Sequence, residues 1–279
     1  MSPLQRLNNR DGKLSAIHAY ANQGYAVIEN AISSETCLAL KQRSQELVYN
    51  FKLSCVCDDF LLRSDAYLNT ESVSDLSNRN NFYFEKEAFS EKGKLLYPIE
   101  KSINKITFSL HKLDSLFQSF SNSSEIREVV KCIGKEHARI VQSMYIFKQA
   151  HIGDQVDFHQ DATFLHAFPS PAFAVWIALE DATIDNGCLW VLPGWHDQPL
   201  RNFLTRNSTG LVLEVYDPTS WPEDKAIPLE VKAGTAIVLH AHLPHGSHPN
   251  RSTRTRQAYS MHFIEEGSHL LESCWLEGN

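Results

Sequence analysis

Two kinds of hydrophobic patterning divide this chain of 279 residues. In the first half, apolar residues recur at three- and four-residue steps, which predicts helices over residues 14–24, 33–50, 97–120 and 123–132. Gly24 is the predicted end of the first helix, and Ser33 is the predicted N-cap of the second. From residue 139 onward the pattern changes to short apolar runs, which are typical of strands.

The predicted strands are short and are separated by turn signals such as Asp185-Asn186-Gly187 and Pro193-Gly194. They cover residues 25–29, 140–147, 172–179, 188–192, 229–231, 235–240 and 257–264. Such a pattern favours a mainly β fold, a barrel or a double-sheet jelly roll, with helices at its flank. Residues 63–81 and 201–227 are predicted to be loops, the second of them over one mouth of the barrel.

No linker interrupts the chain, so we expect a single domain. Its expected parts are a mostly helical N-terminal part over residues 1–138, a jelly-roll core over residues 139–265 and a C-terminal tail over residues 266–279. This division rests on the change of pattern near residue 139 alone.

The composition is ordinary for a globular protein, with 43% hydrophobic and 21% charged residues. A net charge of −7 and the absence of a basic stripe argue against a nucleic-acid polymer as partner. No apolar run reaches the length of about 18 residues that a membrane span needs. The six cysteines form no Cys-x-x-Cys pair, and no secretory or peroxisomal address is evident, so we expect a cytoplasmic protein. Its oligomeric state stays open.

His159 and Asp161 are the first candidates for chemistry, because residues two apart share one face of a strand. Two imidazoles and one carboxylate form the facial triad of non-haem iron oxygenases. The third ligand has to come from a distant segment, where a cluster contains His245 among four histidines, the others being His240, His242 and His248. Arg256, which follows this cluster, suits the far carboxylate of a 2-oxoglutarate cosubstrate. The alternative is a histidine and an aspartate that only hydrogen-bond each other.

Several segments around these residues resemble the phytanoyl-CoA dioxygenase family and one narrower branch of it. They are residues 100–106, residues 142–149 with His159-Gln160-Asp161, residues 175–183 with 186–190 and Pro193-Gly194, and residues 245–247 with Asn250, Arg256, 258–260 and 262–263. The resemblance extends over about residues 15–265, with poor agreement in residues 51–82 and 200–227.

The resemblance implies a double-stranded β-helix, or jelly roll, with flanking N-terminal helices. It also implies that His159, Asp161 and His245 are the iron ligands, which selects one histidine from the cluster. Arg256 and Ser247 would then hold the far carboxylate of 2-oxoglutarate, and Lys105, Met144 and Trp176 would line the cosubstrate pocket. Without the resemblance, Met144 and Trp176 would be interpreted as core residues, and Lys105 as part of a solvated helix face.

The implied activity is that of an Fe(II)- and 2-oxoglutarate-dependent dioxygenase, an oxidoreductase that uses O2, with ascorbate as a further reductant. It would hydroxylate a small-molecule or acyl-type substrate and release succinate and CO2. The carboxylate of Asp161 favours oxygenation, since related halogenases have a small residue there. Two alternatives stay open: a metal- and 2-oxoglutarate-binding sensor without turnover, and a zinc hydrolase, which would have no use for Arg256.

The sequence does not identify the substrate. Aromatic side chains near the metal motif are candidates for the wall of its pocket, although core packing is the more common role for most of them: Phe158, Phe164, His166, Phe168 and Trp190. Trp195 and His196, which follow the Pro193-Gly194 turn, are candidates for the mouth of the pocket.

Overall fold

The computed structural model describes residues 10–54, 81–207, 210–271 and 274. Within these ranges the helices are α1 Arg10–Gln23, α2 Ser34–Ser54, α3 Leu110–Leu113, α4 Ser115–Ser121 and α5 Ser124–Lys131. Gly24 ends α1 in a left-handed conformation with φ +79°, which glycine adopts without strain. The Ser33 hydroxyl accepts a hydrogen bond of 3.1 Å from the backbone N–H of Thr36, so the predicted N-cap of α2 is confirmed.

The strands up to residue 191 are β1 Tyr25–Ile28, β2 Asn81–Phe84, β3 Ile103–Phe108, β4 Ala138–Ile146, β5 Val156–His159, β6 Ala167–Phe168, β7 Phe173–Ala178 and β8 Leu189–Val191. Those that follow are β9 Asn202–Asn207, β10 Gly210–Val215, β11 Ile227–Leu229, β12 Ala236–His240, β13 His245–Ser247, β14 Ala258–Glu265 and β15 His269–Leu270. All strands predicted from residue 139 onward are present, and their ends lie within two residues of the predicted ones. The mainly β class with flanking helices is therefore confirmed.

Two antiparallel sheets form the core. The larger has the order β1-β12-β7-β14-β4-β3-β2, and the smaller has the order β11-β8-β13-β5. Every strand pair in them is antiparallel. Strands that are distant in the chain are neighbours in both sheets, as in a jelly roll. Three strands N-terminal to residue 139 extend the larger sheet, so this part of the chain is less purely helical than predicted.

The two faces of the larger sheet have different partners, because side chains alternate along each strand. Val175, Tyr145 and Tyr259 point to the outer face and pack in one apolar cluster with α2, α4 and α5. Trp176 and Ala258 point to the inner face and pack against Leu189 and Val191 of the smaller sheet. The inner face is therefore the place where the two sheets can enclose a ligand.

Residues 97–120 were predicted to form a helix, and this prediction is wrong. They contain the strand β3 and the short helices α3 and α4. The register between β2 and β3 shifts, so that Tyr83 pairs with Lys105 and Phe84 with Ile103. Asn104 is thus an extra residue, and this bulge turns both Ile103 and Ile106 into the same apolar cluster. Their three-residue spacing imitates a helix.

Residues 201–227 were predicted to be a loop, but they contain the antiparallel hairpin of β9 and β10. Most of the β10 side chains are exposed or half-buried, so the alternation that reveals a strand is missing from the sequence. Residues 63–80 of the other predicted loop lie outside the described residues. No helix in the described ranges combines the length and apolar character needed to cross a lipid bilayer.

Candidate metal centre

His159 and His245 are direct cross-strand partners at the ends of β5 and β13. Their ring centroids lie 4.5 Å apart. Asp161 follows β5 by two residues, in a short 3-10 turn over Asp161–Thr163. Its Oδ1 lies 3.5 Å from Nε2 of His159 and 3.7 Å from Nε2 of His245. The ligand atoms of all three lie within 4.8 Å of one another, and no other such group occurs among the described residues.

Each histidine is oriented by a hydrogen bond to a backbone carbonyl two residues earlier in the chain. Nδ1–H of His159 donates to the carbonyl of Asp157 at 2.8 Å, and Nδ1–H of His245 donates to that of Leu243 at 2.9 Å. In this tautomer the lone pair is on Nε2, the atom that faces Asp161. Metal-binding histidines are usually fixed in this way through their second nitrogen.

The electrostatics keep His245 and Asp161 in the forms that bind a metal ion. Burial lowers the pKa of His245 to about 4, so its imidazole is neutral at neutral pH. Burial opposes the ionisation of Asp161, but the neighbouring His245, His262 and His159 outweigh it and hold the pKa of Asp161 well below its usual range. For His159, burial lowers the pKa, but the neighbouring carboxylate of Asp161 outweighs this effect and raises it. A neutral imidazole and an ionised carboxylate are what a divalent cation requires.

His262 is a neighbour of the centre that the sequence did not reveal. Its Nε2 lies 3.3 Å from Oδ2 of Asp161, the oxygen that does not face His159 and His245. It lies on β14, where it shares the inner face with Ser260 because the two residues are two apart. Once a strand is assigned to residues 257–264, its alternation is the signal that could have found this residue.

Gln160, between two of the candidate ligands, fixes the turn that carries them. Its side chain is buried, and its Nε2 donates to the carbonyl of His242 at 3.0 Å. Its Oε1 accepts a hydrogen bond of 3.0 Å from the backbone N–H of Arg201. The turn after β5 is thereby joined to the segments before β13 and β9.

Arg256 lies on the inner face as well and is only 2% exposed. Its Nε donates to the carbonyl of Gly187 at 3.1 Å, and its guanidinium carbon lies 5.2 Å from the ring centroid of Trp176. Nη1 of Arg256 and Nε1 of Trp176 are buried and have no hydrogen-bond partner among the described residues. Unsatisfied buried donors of this kind fit a carboxylate ligand.

The other predicted cosubstrate residues lie on the same inner face or, for Ser247, on the smaller sheet opposite it. Met144, Ser260 and Trp176 are consecutive cross-strand partners on β4, β14 and β7. Ser247 is two residues from His245 on β13, and it is buried. Lys105 lies on β3, opposite Ile146, and not on a helix as predicted. Burial lowers the pKa of Lys105 to about 8.

The centre opens on the side of His159, whose side chain is 27% exposed against 8% for His245. The ring of Phe164, 37% exposed, meets the His159 ring edge-on at 6.0 Å. Of the proposed pocket residues, Phe164 is thus at the opening, whereas Phe168 is exposed and meets His269 at the surface.

Most of the remaining histidine cluster lies elsewhere. The His240 ring lies 5.2 Å from that of His196 and 5.6 Å from that of His242, and the three form no ligand group with the centre. His248 packs edge-on against Trp190 at 4.8 Å. His245 is accordingly the only member of the four-histidine cluster in the candidate metal group of the described residues.

Comparison with known proteins identifies the family of this chain. The sequence profile of the family described as phytanoyl-CoA dioxygenase (PhyH) matches residues 20–258. The chain belongs to the phytanoyl-CoA dioxygenase family. Membership in this family confirms the predicted enzyme class, an oxidoreductase of the iron- and 2-oxoglutarate-dependent dioxygenases.

Relatives within the family match nearly the whole chain. Phytanoyl-CoA dioxygenase domain-containing protein 1 of Mus musculus is 35% identical over 275 residues, covering 95% of this chain and 93% of the mouse protein. The Arabidopsis thaliana protein named phytanoyl-CoA dioxygenase is 36% identical over 259 residues, covering 92% of this chain and 91% of its own. The expected similarity to the branch of the mouse protein is confirmed.

A solved structure supports the fold. EctD from S. alaskensis, determined with 2-oxoglutarate and 5-hydroxyectoine, superposes with a TM-score of 0.63 at 17% identity. The match covers 97% of this chain and 83% of EctD. The predicted jelly roll is therefore confirmed at the level of the fold.

Proposed function

We propose that this chain is an Fe(II)- and 2-oxoglutarate-dependent dioxygenase that hydroxylates a small-molecule or acyl-type substrate and releases succinate and CO2. One observation carries the proposal. Two imidazoles and a carboxylate meet at the smaller sheet, which packs against the inner face that holds Arg256, a buried cation whose Nη1 has no partner among the described residues. A metal ion fits the first group, and an anionic ligand fits the second.

In this proposal His159, Asp161 and His245 hold Fe(II) on one face and leave the opposite face for ligands. When bound, Fe(II) and 2-oxoglutarate supply the oxidising chemistry, in which one oxygen atom of O2 enters succinate and the other enters the substrate. The two Nδ1 hydrogen bonds keep both imidazoles directed at the metal position. Ascorbate as a further reductant stays a prediction.

Arg256 binds the far carboxylate of 2-oxoglutarate, since a planar guanidinium pairs with a carboxylate through two parallel hydrogen bonds. Ser247 adds a hydroxyl donor at the same carboxylate, and Trp176 and Met144 form the apolar wall along the cosubstrate. Lys105 contributes positive charge from β3.

The substrate enters at the exposed side of His159, past Phe164. An aromatic side chain at this opening suits an apolar or amphipathic small molecule more than a polymer. The names of the relatives point in different directions, one to a CoA thioester and one to a hydroxylated small molecule. A screen that measures stimulated 2-oxoglutarate consumption should therefore include acyl-CoA thioesters, the free acids and unrelated small molecules.

Succinate formation tests the proposed turnover. The purified protein is incubated with 2-oxoglutarate and O2, with and without Fe(II), and succinate is quantified in the presence of each candidate substrate. We expect succinate only when Fe(II) is present. Binding of 2-oxoglutarate without succinate under any condition would favour the sensor, and Zn(II)-dependent hydrolysis without 2-oxoglutarate would favour the hydrolase.

A further inference from the structure

Lys148 is a buried lysine that none of the roles above uses. It lies two residues after the end of β4, is 1% exposed and has a backbone φ of +38°. L-residues other than asparagine and aspartate rarely adopt this left-handed region, and such residues cluster at ligand sites. Its backbone carbonyl accepts hydrogen bonds from the N–H of Arg256 at 3.2 Å and from Nδ2 of Asn250 at 3.1 Å. The chain at Lys148 is therefore joined to the segment that carries Arg256.

Two glycines leave room for the Lys148 side chain. A Cβ atom at Gly187 would lie 2.3 Å from Cε of Lys148, and one at Gly153 would lie 2.9 Å from its Cγ. Gly187 is also the residue whose carbonyl accepts the hydrogen bond from Nε of Arg256. Both cationic side chains thus lie next to Gly187. Arg256 donates to its backbone carbonyl, and Lys148 occupies the space that a side chain at this position would fill.

The ammonium group of Lys148 has two acceptors. Nζ donates to Oγ of Ser247 at 2.9 Å and to the carbonyl of Asp154 at 2.6 Å. An ammonium group can only donate hydrogen bonds, so Oγ of Ser247 is an acceptor in this pair. The hydroxyl hydrogen of Ser247 is then left to donate to another group. Lys148 thereby determines the hydrogen-bonding role of Ser247.

Charge at this end of the pocket points to an anionic ligand. Burial and the positive charge of Arg256 together lower the pKa of Lys148 to about 7, against the opposing effects of Glu85, Asp154 and Cys188. Among the described residues Lys148 has no ion pair with a carboxylate. Two neighbouring buried cations are unfavourable unless an anion joins them.

We propose that Lys148 is a positioning residue for 2-oxoglutarate, which holds the Ser247 hydroxyl as a donor and adds positive charge behind the carboxylate that Arg256 binds. This inference rests on the proposed function, since it presupposes that 2-oxoglutarate is the ligand. It adds to that function a residue that acts through Ser247 and does not itself touch the metal.

The test is the dissociation constant of 2-oxoglutarate, measured by calorimetry on the Co(II)-loaded protein without O2. Lys148→Met keeps an unbranched side chain of similar length and removes the charge and the donor. We expect its Kd to rise about 10- to 30-fold, as for loss of a hydrogen bond to a charged group. Co(II) affinity and the visible Co(II) spectrum should not change. Lys232→Met, which alters a lysine 85% exposed, is the matched control and should bind as the unsubstituted protein does.

A double-mutant cycle separates positioning from general charge. If Lys148 acts through Ser247, the fold-increase in Kd of the Lys148→Met/Ser247→Ala variant should be well below the product of the fold-increases of the two single variants. The same non-additivity should appear in KM for 2-oxoglutarate, with kcat nearly unchanged. Fully additive effects, or a Kd of Lys148→Met equal to that of the unsubstituted protein, would overturn the inference.

Two further outcomes are distinguishable. If the unsubstituted protein does not bind 2-oxoglutarate, the proposed function itself fails, whatever Lys148 does. If Lys148→Met lacks the Co(II) spectrum because it does not fold, Ser247→Ala serves as the test. This variant removes the hydroxyl and leaves the Lys148 side chain in place. An unchanged Kd in Ser247→Ala overturns the inference, because Lys148 is proposed to act through this hydroxyl.

Discussion

At the scale of residues, buried polar side-chain atoms without a hydrogen-bond partner indicate where a ligand could bind. Most buried donors and acceptors in proteins are satisfied, so each exception needs an explanation. Nη1 of Arg256 and Nε1 of Trp176 are among the exceptions in the described residues, and both lie at the end of the proposed centre where a carboxylate would bind. Asp161 lies at the metal end, where its Oδ1 faces His159 and His245 and its Oδ2 lies 3.3 Å from Nε2 of His262.

Arg256→Lys should raise KM for 2-oxoglutarate about 10- to 100-fold, because lysine cannot form the bidentate pair with a carboxylate. The effect on kcat should be smaller, since the metal ligands are unaltered. Steady-state succinate formation measures both constants. Arg254→Lys, which changes an exposed arginine two residues away, is the control and should leave KM unchanged. An unchanged KM in Arg256→Lys would contradict the role of this residue.

His262→Phe should weaken metal binding about 10- to 100-fold, because a residue that supports a metal ligand is lost while the ring volume is kept. The reason is the 3.3 Å contact between His262 and Asp161. Competition with a chelator of known affinity measures the binding of Co(II). His137→Phe, at a histidine whose side chain is 80% exposed, is the control. Equal metal affinity in both variants would show that His262 does not support Asp161.

At the scale of elements, Glu85 connects the bulged strand β3 to the turn after β4. Its carboxylate accepts hydrogen bonds from Nδ2 of Asn104 at 2.7 Å and from the backbone N–H groups of Gln149 and Asp154 at 3.1 Å and 3.0 Å. Glu85 is fully buried. The turn from Gln149 to Asp154 is the segment whose carbonyl also fixes the Lys148 side chain.

Glu85→Ala should lower the free energy of unfolding by about 3 kcal/mol, because three buried donors lose their acceptor. Glu87→Ala, at a glutamate that is 50% exposed and ion-paired with Arg251, should lower it by less than about 1 kcal/mol. Urea denaturation followed by circular dichroism measures both values. Equal losses of stability would mean that the hydrogen bonds of Glu85 do not hold these elements together.

Most strands and the helix caps could be predicted from local sequence. The features that could not be predicted depend on residues that are distant in the chain. The N-cap at Ser33 and the stop at Gly24 depend on neighbouring residues, and both were predicted. The bulge at Asn104 depends on the partner strand β2, so the spacing of Ile103 and Ile106 misled the prediction. Likewise, nothing near Lys148 in the sequence signals its burial, because its partners Gly187 and Ser247 come from distant segments.

The candidate site was predictable as a set of residue types, since the motif and the family resemblance name its ligands. Strand alternation could have placed His262 on the inner face, but the contacts that support the ligands depend on how distant segments come together. His262 and Gln160 contact the centre only because β14 and the segment before β13 come next to the turn after β5. The single-domain division at residue 139 stays a prediction, as does the cytoplasmic location.

At the scale of the whole molecule, two sheets enclose the site while histidines outside it make stability depend on pH. Burial lowers the pKa of His240 to about 3 and that of His111 to about 4. In the unfolded chain both groups take up a proton near pH 6.5. Between about pH 6.5 and about pH 4 the unfolded state binds more protons than the folded state. The free energy of unfolding therefore falls as the pH falls through this range.

His240→Asn should flatten this fall, because asparagine keeps the acceptor for the N–H of His242 but cannot be protonated. The melting temperature of the metal-free protein, measured at intervals between about pH 7.5 and pH 4, gives the slope. The exposed-site variant His137→Asn should follow the unsubstituted protein. A slope in His240→Asn as steep as in the unsubstituted protein would contradict the assigned cause.

The central claim is that the three ligands and Arg256 form one centre for Fe(II) and 2-oxoglutarate. It is tested most directly by titrating 2-oxoglutarate into the Fe(II)-loaded protein without O2, while recording the visible absorption band that chelation of Fe(II) by a 2-oxo acid produces. We predict a band that saturates at one equivalent, is absent without Fe(II), and is lost in His159→Ala but kept in His137→Ala. No band in the unsubstituted protein, or an unaltered band in His159→Ala, would contradict the account.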